Sequence, residues 1–340
     1  MSIEDLEQIA QAMVAPGKGI IAVDESATTI KKRIEAVGLE NNEENRRKYR
    51  QLLLTAPGLG QYISGAILFD ETIRQKTDDG RSMVEAMNAA GIIPGIKVDK
   101  GTHPLAGFPD EVVTEGLDGL RERLQEYAKL GAKFAKWRAV IKITDDTPTS
   151  AAVEANTHAL ARYAALCQEA GLVPMVEPEI LMDDPSSVQD LDTSFAVHKE
   201  VLQSLFGQLE LNNVELKALI LKVSMVIPGK FAPKEDQADA EDIANATVSV
   251  FQYAVPAAVA GIVFLSGGQG DQQATENLNE INKLGPHPWP ISFSYGRALV
   301  SAALETWAKD QKANYDAAQK TVVERAKENS EAAKGTWKKR

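Results

Sequence analysis

The segment KALILKVSMVIPG, residues 217–229, decides the fold. Its middle, Ala218 to Met225, is rich in Leu, Ile and Val and reads as a buried strand interrupted by one lysine, Lys222. Side chains on a strand alternate between faces. Ala218, Ile220 and Lys222 therefore share one face, and Leu219, Leu221 and Val223 share the other. A lysine in such a place must find a partner, lose its proton or line a cavity. A neutral amine in a dry pocket is a nucleophile for carbonyls. The competing reading is a side chain that snorkels from the strand end to solvent.

Working outward, seven more short apolar segments read as strands: 19–26, 63–70, 91–101, 134–143, 172–180, 261–270 and 288–299. Helical patterns separate them, over 30–37, 43–54, 82–90, 116–130, 149–170, 194–210, 241–255 and 271–283. A further amphipathic helix precedes the first strand over 3–14, and two follow the last, over 299–309 and 313–332. Pro178 predicts an abrupt end to its strand, and THPLAGFPDE at 102–111 predicts a loop long enough to be a lid. Strands alternating with helices predict an α/β chain, a (β/α)8 TIM barrel. A doubly wound sheet is the rival, but no dinucleotide-type glycine fingerprint follows the first strand. The expected organisation is one barrel domain over 1–340, with C-terminal helices and a short basic tail from about residue 311.

Bulk properties narrow the function. A net charge of -11 argues against a general nucleic-acid binder. The single cysteine, Cys167, permits no intrachain disulfide and no thiolate metal site, and fits a reducing compartment. The histidines at 103, 158, 198 and 287 are scattered, which disfavours zinc. The N-terminus MSIEDLEQIAQAM is acidic and reads as neither signal nor transit peptide. The longest apolar run, Ala254 to Leu265, contains Pro256 and falls short of the roughly 20 residues a membrane span needs. A cytoplasmic protein without a membrane segment is the expectation.

In a barrel, polar residues at the carboxyl ends of strands converge on one mouth. Here they are Asp24, Lys97, Lys136 with Arg138, Glu177 with Glu179, Lys222, Ser266 with its glycines, and Ser294 with Arg297. Each has a plain alternative: Asp24 as a helix cap, Lys136 and Arg138 as a solvated edge, Glu177 and Glu179 as their partners. Gathered in one mouth they are harder to dismiss, because unpaired buried charges cost several kcal/mol each. Lys222 beside Lys136 and Arg138 is expected to have its ammonium disfavoured by like charge and desolvation, supplying free amine for a Schiff base. Glu177 suits the proton shuttle that expels water from the carbinolamine. Asp24 suits removal of a substrate hydroxyl proton, driving carbon–carbon cleavage toward an enamine. Ser266, Gly267 and Gly268 bare backbone N–H groups near Gly296 and Arg297, which predicts a phosphate site. Lys97, Ser26 and Thr29 predict a second one opposite. The two imply a doubly phosphorylated sugar of about six carbons.

The motifs GKGIIAVDES (17–26), AILFDET (66–72), GIKVDKG (95–101), GAKFAKWR (131–138), VPMVEPEI (173–180), GIVFLSGGQ (261–269) and SFSYGRAL (292–299), in this order, make the chain resemble class I fructose-bisphosphate aldolases. So do EENRRKYRQLLLTA, PLAG, GLDGL, ARYAALCQ and NLNEINK, and the likeness runs from about Gly17 to about Ser330. The resemblance implies an eight-stranded barrel, metal-free and cofactor-free reversible cleavage of fructose 1,6-bisphosphate, and a homo-oligomer, usually a tetramer. It carries the Schiff-base lysine onto Lys222, the proton shuttle onto Glu177, the acid/base aspartate onto Asp24, the carbinolamine neighbours onto Lys136 and Arg138, and the family's other active-site glutamate onto Glu179. It carries the ketone-side phosphate group onto Ser266, Gly267, Ser294, Gly296 and Arg297, and the aldehyde-side group onto Ser26, Thr29 and Lys97. Three features depart from the family pattern, one of them Thr29 in place of a more usual serine, which keeps the hydroxyl; the other two are departures from animal and plant members. Val223-Ser224 stands where they have Pro-Asn, which predicts a slightly altered pocket, and the C-terminal tail ending in tyrosine is missing.

Three other readings give different observables. A phosphosugar isomerase on the same barrel needs a base and a phosphate site but no buried amine. A scaffold binds sugar phosphate without turnover. A metal-dependent aldolase loses activity in chelator.

Overall fold

Alternation along the central segment places its side chains in two separate cores. In the computed structural model, which describes residues 2–339, Ala218 and Ile220 join Ile20, Ile67, Phe134, Val173, Met175 and Val263 in one apolar cluster. Leu219, Leu221 and Val223 belong to a second, larger cluster that includes residues of the surrounding helices. The first is the inside of a barrel and the second is the layer between strands and helices.

The strands are β1 (Gly19–Val23), β2 (Ile63–Leu68), β3 (Ile93–Lys97), β4 (Thr102–Pro104), β5 (Val112–Thr114), β6 (Phe134–Ile141), β7 (Val173–Ile180), β8 (Ile220–Val223), β9 (Gly261–Phe264) and β10 (Ile291–Tyr295). All except β4 and β5 close into one barrel in the order β1-β10-β9-β8-β7-β6-β3-β2. Every pairing in it is parallel. The helices are α1 (Ile3–Met13), α2 (Ala27–Ala36), α3 (Glu43–Leu54), α4 (Asp70–Arg74), α5 (Met83–Ala89), α6 (Leu120–Lys129), α7 (Ser150–Glu169), α8 (Leu191–Leu211), α9 (Ala240–Ala254), α10 (Asp271–Lys283), α11 (Arg297–Lys309) and α12 (Tyr315–Ala332). The predicted α/β barrel is therefore what the chain forms. Helix α1 sits apart from the outer layer: its buried Leu6, Ala10 and Met13 pack into the interior cluster and stop one end of the barrel.

Several local expectations are corrected. The 102–111 segment is not plain loop: it carries β4 and the turn of an antiparallel hairpin that β5 completes. Pro178 does not end its strand; β7 runs on to Ile180, paired along its length with β6. A proline is tolerated there because β8 pairs with β7 only at Met175 and Val176, so no β8 partner is registered at Pro178. Helix α6 starts at Leu120 rather than 116, because Gly116 and Gly119 adopt φ of 129° and 67°, which ordinary residues avoid. Helix α2 starts at Ala27, three residues before the predicted 30, because Ser26 caps it by accepting a hydrogen bond from the Thr29 N–H.

Phe134 fills the barrel interior only because its neighbours lack side chains. A Cβ on Gly95 would lie 2.1 Å from its ring, and one on Gly65 would lie 3.2 Å from it. Gly95→Ala is therefore expected to destabilise the protein by about 1–3 kcal/mol through overpacking, read from the midpoint of urea unfolding. A midpoint equal to the parent's would mean that Phe134 yields freely and that the glycine is not required.

Candidate functional site

The same alternation that buries Ile220 aims Lys222 two residues further along β8, at the strand's carboxyl end. Strands β6 and β7 act likewise. Met175 is in the interior cluster, and Glu177 and Glu179 follow it on the same face; Phe134 is succeeded by Lys136 and Arg138. Asp24 follows β1, Lys97 ends β3, Ser266 follows β9 and Ser294 lies on β10. These side chains line one cavity of about 690 Å³ at the barrel mouth, together with Ser26, Thr29, Gly267, Gly296 and Arg297.

Within the mouth the charges alternate. Lys136 Nζ lies 2.7 Å from Asp24 Oδ2 and 3.1 Å from Glu177 Oε2, while Glu177 Oε1 lies 3.0 Å from Lys222 Nζ. Arg138 pairs with Glu179, and Lys97 Nζ lies 2.5 Å from Asp99 Oδ1. Lys222 is only 4% exposed and Lys136 also 4%, so neither snorkels nor forms a solvated edge. Asp24 does not cap α2; Ser26 does, and Asp24 faces Lys136 instead.

One expectation is revised. The close neighbour of Lys222 is not a second cation but the Glu177 carboxylate, which separates it from Lys136. Alternation is the arrangement that limits the cost of burying four charges.

Burial works to raise the Asp24 carboxyl, yet the attraction of Lys136 and Lys222 outweighs it and holds the group down at about 2. Glu177 shows the same balance: burial raises it, Lys136 and Lys222 lower it, and the net direction is down. Burial lowers the Lys136 ammonium, but Asp24 and Glu177 more than compensate and raise it. Glu179, ahead of the opposing burial, raises the Arg138 guanidinium. Asp24 and Glu177 are thus held as carboxylates, with Lys136 a cation between them.

The predicted anion-binding groups fall on two sides of this centre. On one side are Ser266, Gly267, Ser294 and the N-terminus of α11, which opens at Gly296 and Arg297. The Ser294 Oγ is buried without a hydrogen-bond partner. Gly268 does not line this cavity: its φ is 77°, and a Cβ there would meet Met182 at 2.6 Å, so it packs on the neighbouring loop. On the other side are Lys97, Ser26 and Thr29, the last two 3.1 Å apart through their hydroxyls. Val223 and Ser224 do not line the cavity. Val223 packs in the outer core, and the Ser224 hydroxyl donates to the Ile180 carbonyl at 3.1 Å.

Three carboxylates in or beside the mouth were not among the sequence candidates. Asp99 shares the face of Lys97, so alternation alone could have found it. Glu25 lines the cavity and binds Arg33 at 2.6 Å and the buried Arg50 at 2.5 Å, partners too distant in sequence to be read. Asp183, on the loop after β7, binds Arg297 at 3.0 Å and lies in a segment without periodicity. Among the described residues no group of three or more His, Cys, Asp and Glu side chains forms a possible metal site, and no helix is long and apolar enough to cross a membrane.

Comparison with known proteins agrees over the whole length. Residues 5–340 match the family described as fructose-bisphosphate aldolase class-I. A protein of Xanthomonas axonopodis pv. citri, named probable fructose-bisphosphate aldolase class 1, is 63% identical over 338 residues, covering 99% of this chain and all of that one. The fructose-bisphosphate aldolase of Schistosoma mansoni is 50% identical, over 98% of this chain and 91% of its own. The solved fructose-bisphosphate aldolase of Plasmodium falciparum, in complex with TRAP and a small molecule inhibitor, superposes with a TM-score of 0.96 at 46% identity, covering 99% of this chain and 96% of that chain.

The depressed Asp24 carboxyl has a consequence for stability. Its contribution is present above the unfolded-state value, near 3.9, and is lost as pH falls through about 2. Between about pH 4 and pH 2, the parent should lose on the order of 2 kcal/mol more than Asp24→Asn does. Denaturant unfolding at stepped pH measures this, and parallel curves for the two proteins would refute it.

Proposed function

Because the chain belongs to the class I fructose-bisphosphate aldolase family, we propose that Lys222 is the lysine through which it works and that its neighbours divide the proton transfers. The reaction is the reversible cleavage of fructose 1,6-bisphosphate to dihydroxyacetone phosphate and glyceraldehyde 3-phosphate, a lyase step of glycolysis and gluconeogenesis, through a lysine Schiff base. One observation carries the assignment: Lys222 is buried at the mouth of the barrel and pairs with a single carboxylate, Glu177 at 3.0 Å, whereas the equally buried Lys136 is held between two.

Glu177, already in contact with Lys222, takes a proton from its ammonium; the freed amine attacks the substrate ketone, and Glu177 then moves the protons that release water from the carbinolamine. The iminium then withdraws electrons. Asp24, held ionised by Lys136, takes the proton of the hydroxyl on the carbon beyond the bond to be cut. That bond breaks, its electron pair enters the enamine, and the aldehyde leaves. Protonation of the enamine and hydrolysis of the iminium release the ketone product. Arg138 and Glu179 flank the reacting carbons as a neutral pair. Ser266, Gly267, Ser294, Gly296 and Arg297 hold the ketone-side phosphate with backbone N–H groups, hydroxyls and one guanidinium. Gly268 serves by shaping the turn. Ser26, Thr29 and Lys97 hold the aldehyde-side phosphate.

We further infer one functional barrel unit over 1–340, working in the cytoplasm without metal or cofactor as a homo-oligomer, with the tetramer favoured. A relative from Arabidopsis thaliana named as cytosolic, 49% identical, supports the location. Exposed Leu211 and Tyr253, on α8 and α9, support association with another copy. Light scattering coupled to size exclusion tests the assembly.

Incubation with dihydroxyacetone phosphate and then sodium borohydride, in the presence of chelator, is expected to leave a stable adduct on Lys222, located by mass spectrometry. A folded, ligand-binding protein that yields no adduct would sink the assignment. Lys222→Arg should abolish cleavage with the fold retained, and Glu177→Gln should lower kcat by about 10²–10⁴-fold, measured in a coupled cleavage assay.

A further inference from the structure

We propose that Asp183 is a resident competitor for the ketone-side phosphate: its carboxylate pairs with Arg297 and sets how tightly phosphate binds there. This rests on the reading of Arg297 and its neighbours as a phosphate site.

Arg297 is the first residue of α11, a 13-residue helix. A cation is poorly placed at a helix N-terminus, where the backbone dipole is already positive. It needs an anion, and the carboxylate of Asp183 supplies one, accepting a hydrogen bond from the guanidinium at 3.0 Å. Arg297 lines the mouth cavity, whereas Asp183 does not. The acid therefore stands behind the arginine rather than in the substrate's path.

The backbone around Asp183 is fastened on both sides. The Leu181 N–H donates to the Ile141 carbonyl at 2.9 Å, and the Lys230 N–H donates to the Met182 carbonyl at 2.9 Å. Met182 is buried against Gly268. Asp184 accepts from the Ser186 hydroxyl at 2.6 Å and pairs with Lys142 at 3.3 Å. The backbone that carries Asp183 is thus held in place beside Arg297. Phosphate either displaces the carboxylate from Arg297 or shares the guanidinium with it, and in both cases the negative charge opposes binding. The buried, unpartnered Ser294 hydroxyl and the backbone N–H groups beside it remain available to the phosphate.

Asp183→Asn retains an acceptor oxygen of the same shape and removes only the charge. Titration calorimetry with inorganic phosphate, on the whole protein, should show binding about fivefold tighter or more in this variant. The KM for fructose 1,6-bisphosphate should fall by a similar factor, with the change in KM exceeding that in kcat. Asp183→Ala should also bind phosphate more tightly, and serves if the Asn variant folds poorly. Arg297→Ala should weaken phosphate binding and erase the difference made by Asp183→Asn. Unchanged or weaker phosphate binding in both Asp183 variants, with Arg297→Ala still weakening it, would overturn the competitor role and leave Asp183 a positioning residue for Arg297. If Arg297→Ala does not affect phosphate affinity, the phosphate-site reading itself fails and the competitor falls with it.

Discussion

The structure depends on the alternation of sign among four buried groups, Asp24, Lys136, Glu177 and Lys222. Each was drawn from a different part of the chain, and none could be buried alone without a desolvation cost of several kcal/mol. Together they form a neutral row in which each interior member touches two opposite charges. The barrel makes this row possible. Parallel strands bring their carboxyl ends to one level, and side-chain alternation turns every second residue inward. The row in turn holds Asp24 and Glu177 as carboxylates and Lys136 as a cation. The chemistry thus follows from a condition that folding already imposed.

The interior below that row is apolar and filled. Phe134 spans space that Gly65 and Gly95 leave open, and Met175, Ile220 and Val263 complete the layer. The dry floor keeps water from screening the ion pairs above it, which strengthens each of them. The floor and the row are read from the same strands, two residues apart: Ile220 and Lys222, Met175 and Glu177, Phe134 and Lys136. A one-residue register slip would turn floor and row out of the barrel at once.

Much of this was legible in the sequence because the signal has period two. The faces of 217–229 gave the inward lysine, and the same count on the other strands gave Lys136, Arg138, Glu177 and Glu179. What alternation cannot supply is pairing across the barrel. Like-charge crowding was expected for Lys222, whereas Glu177 intervenes. Asp99 was visible on the face of Lys97 but not taken up as part of the site. The β4–β5 hairpin escaped because each of its strands is only three residues long, too short for a periodic pattern, and β4 is wholly exposed. Asp183 escaped for a related reason: its role depends on a loop meeting α11, more than a hundred residues later. Gly268 was grouped with Ser266 and Gly267 by adjacency, yet its backbone turn faces Met182.

Helix α1 closes the end of the barrel opposite the mouth by packing Leu6, Ala10 and Met13 into the interior cluster. Among the described residues that end is closed by apolar packing, and the cavity opens at the mouth. A water molecule expelled when an imine forms must leave by the way the sugar came in, and the water that later hydrolyses the imine must arrive by that route. A substrate seated across the opening is its own stopper. Departure of the aldehyde half would then uncover the mouth to returning water.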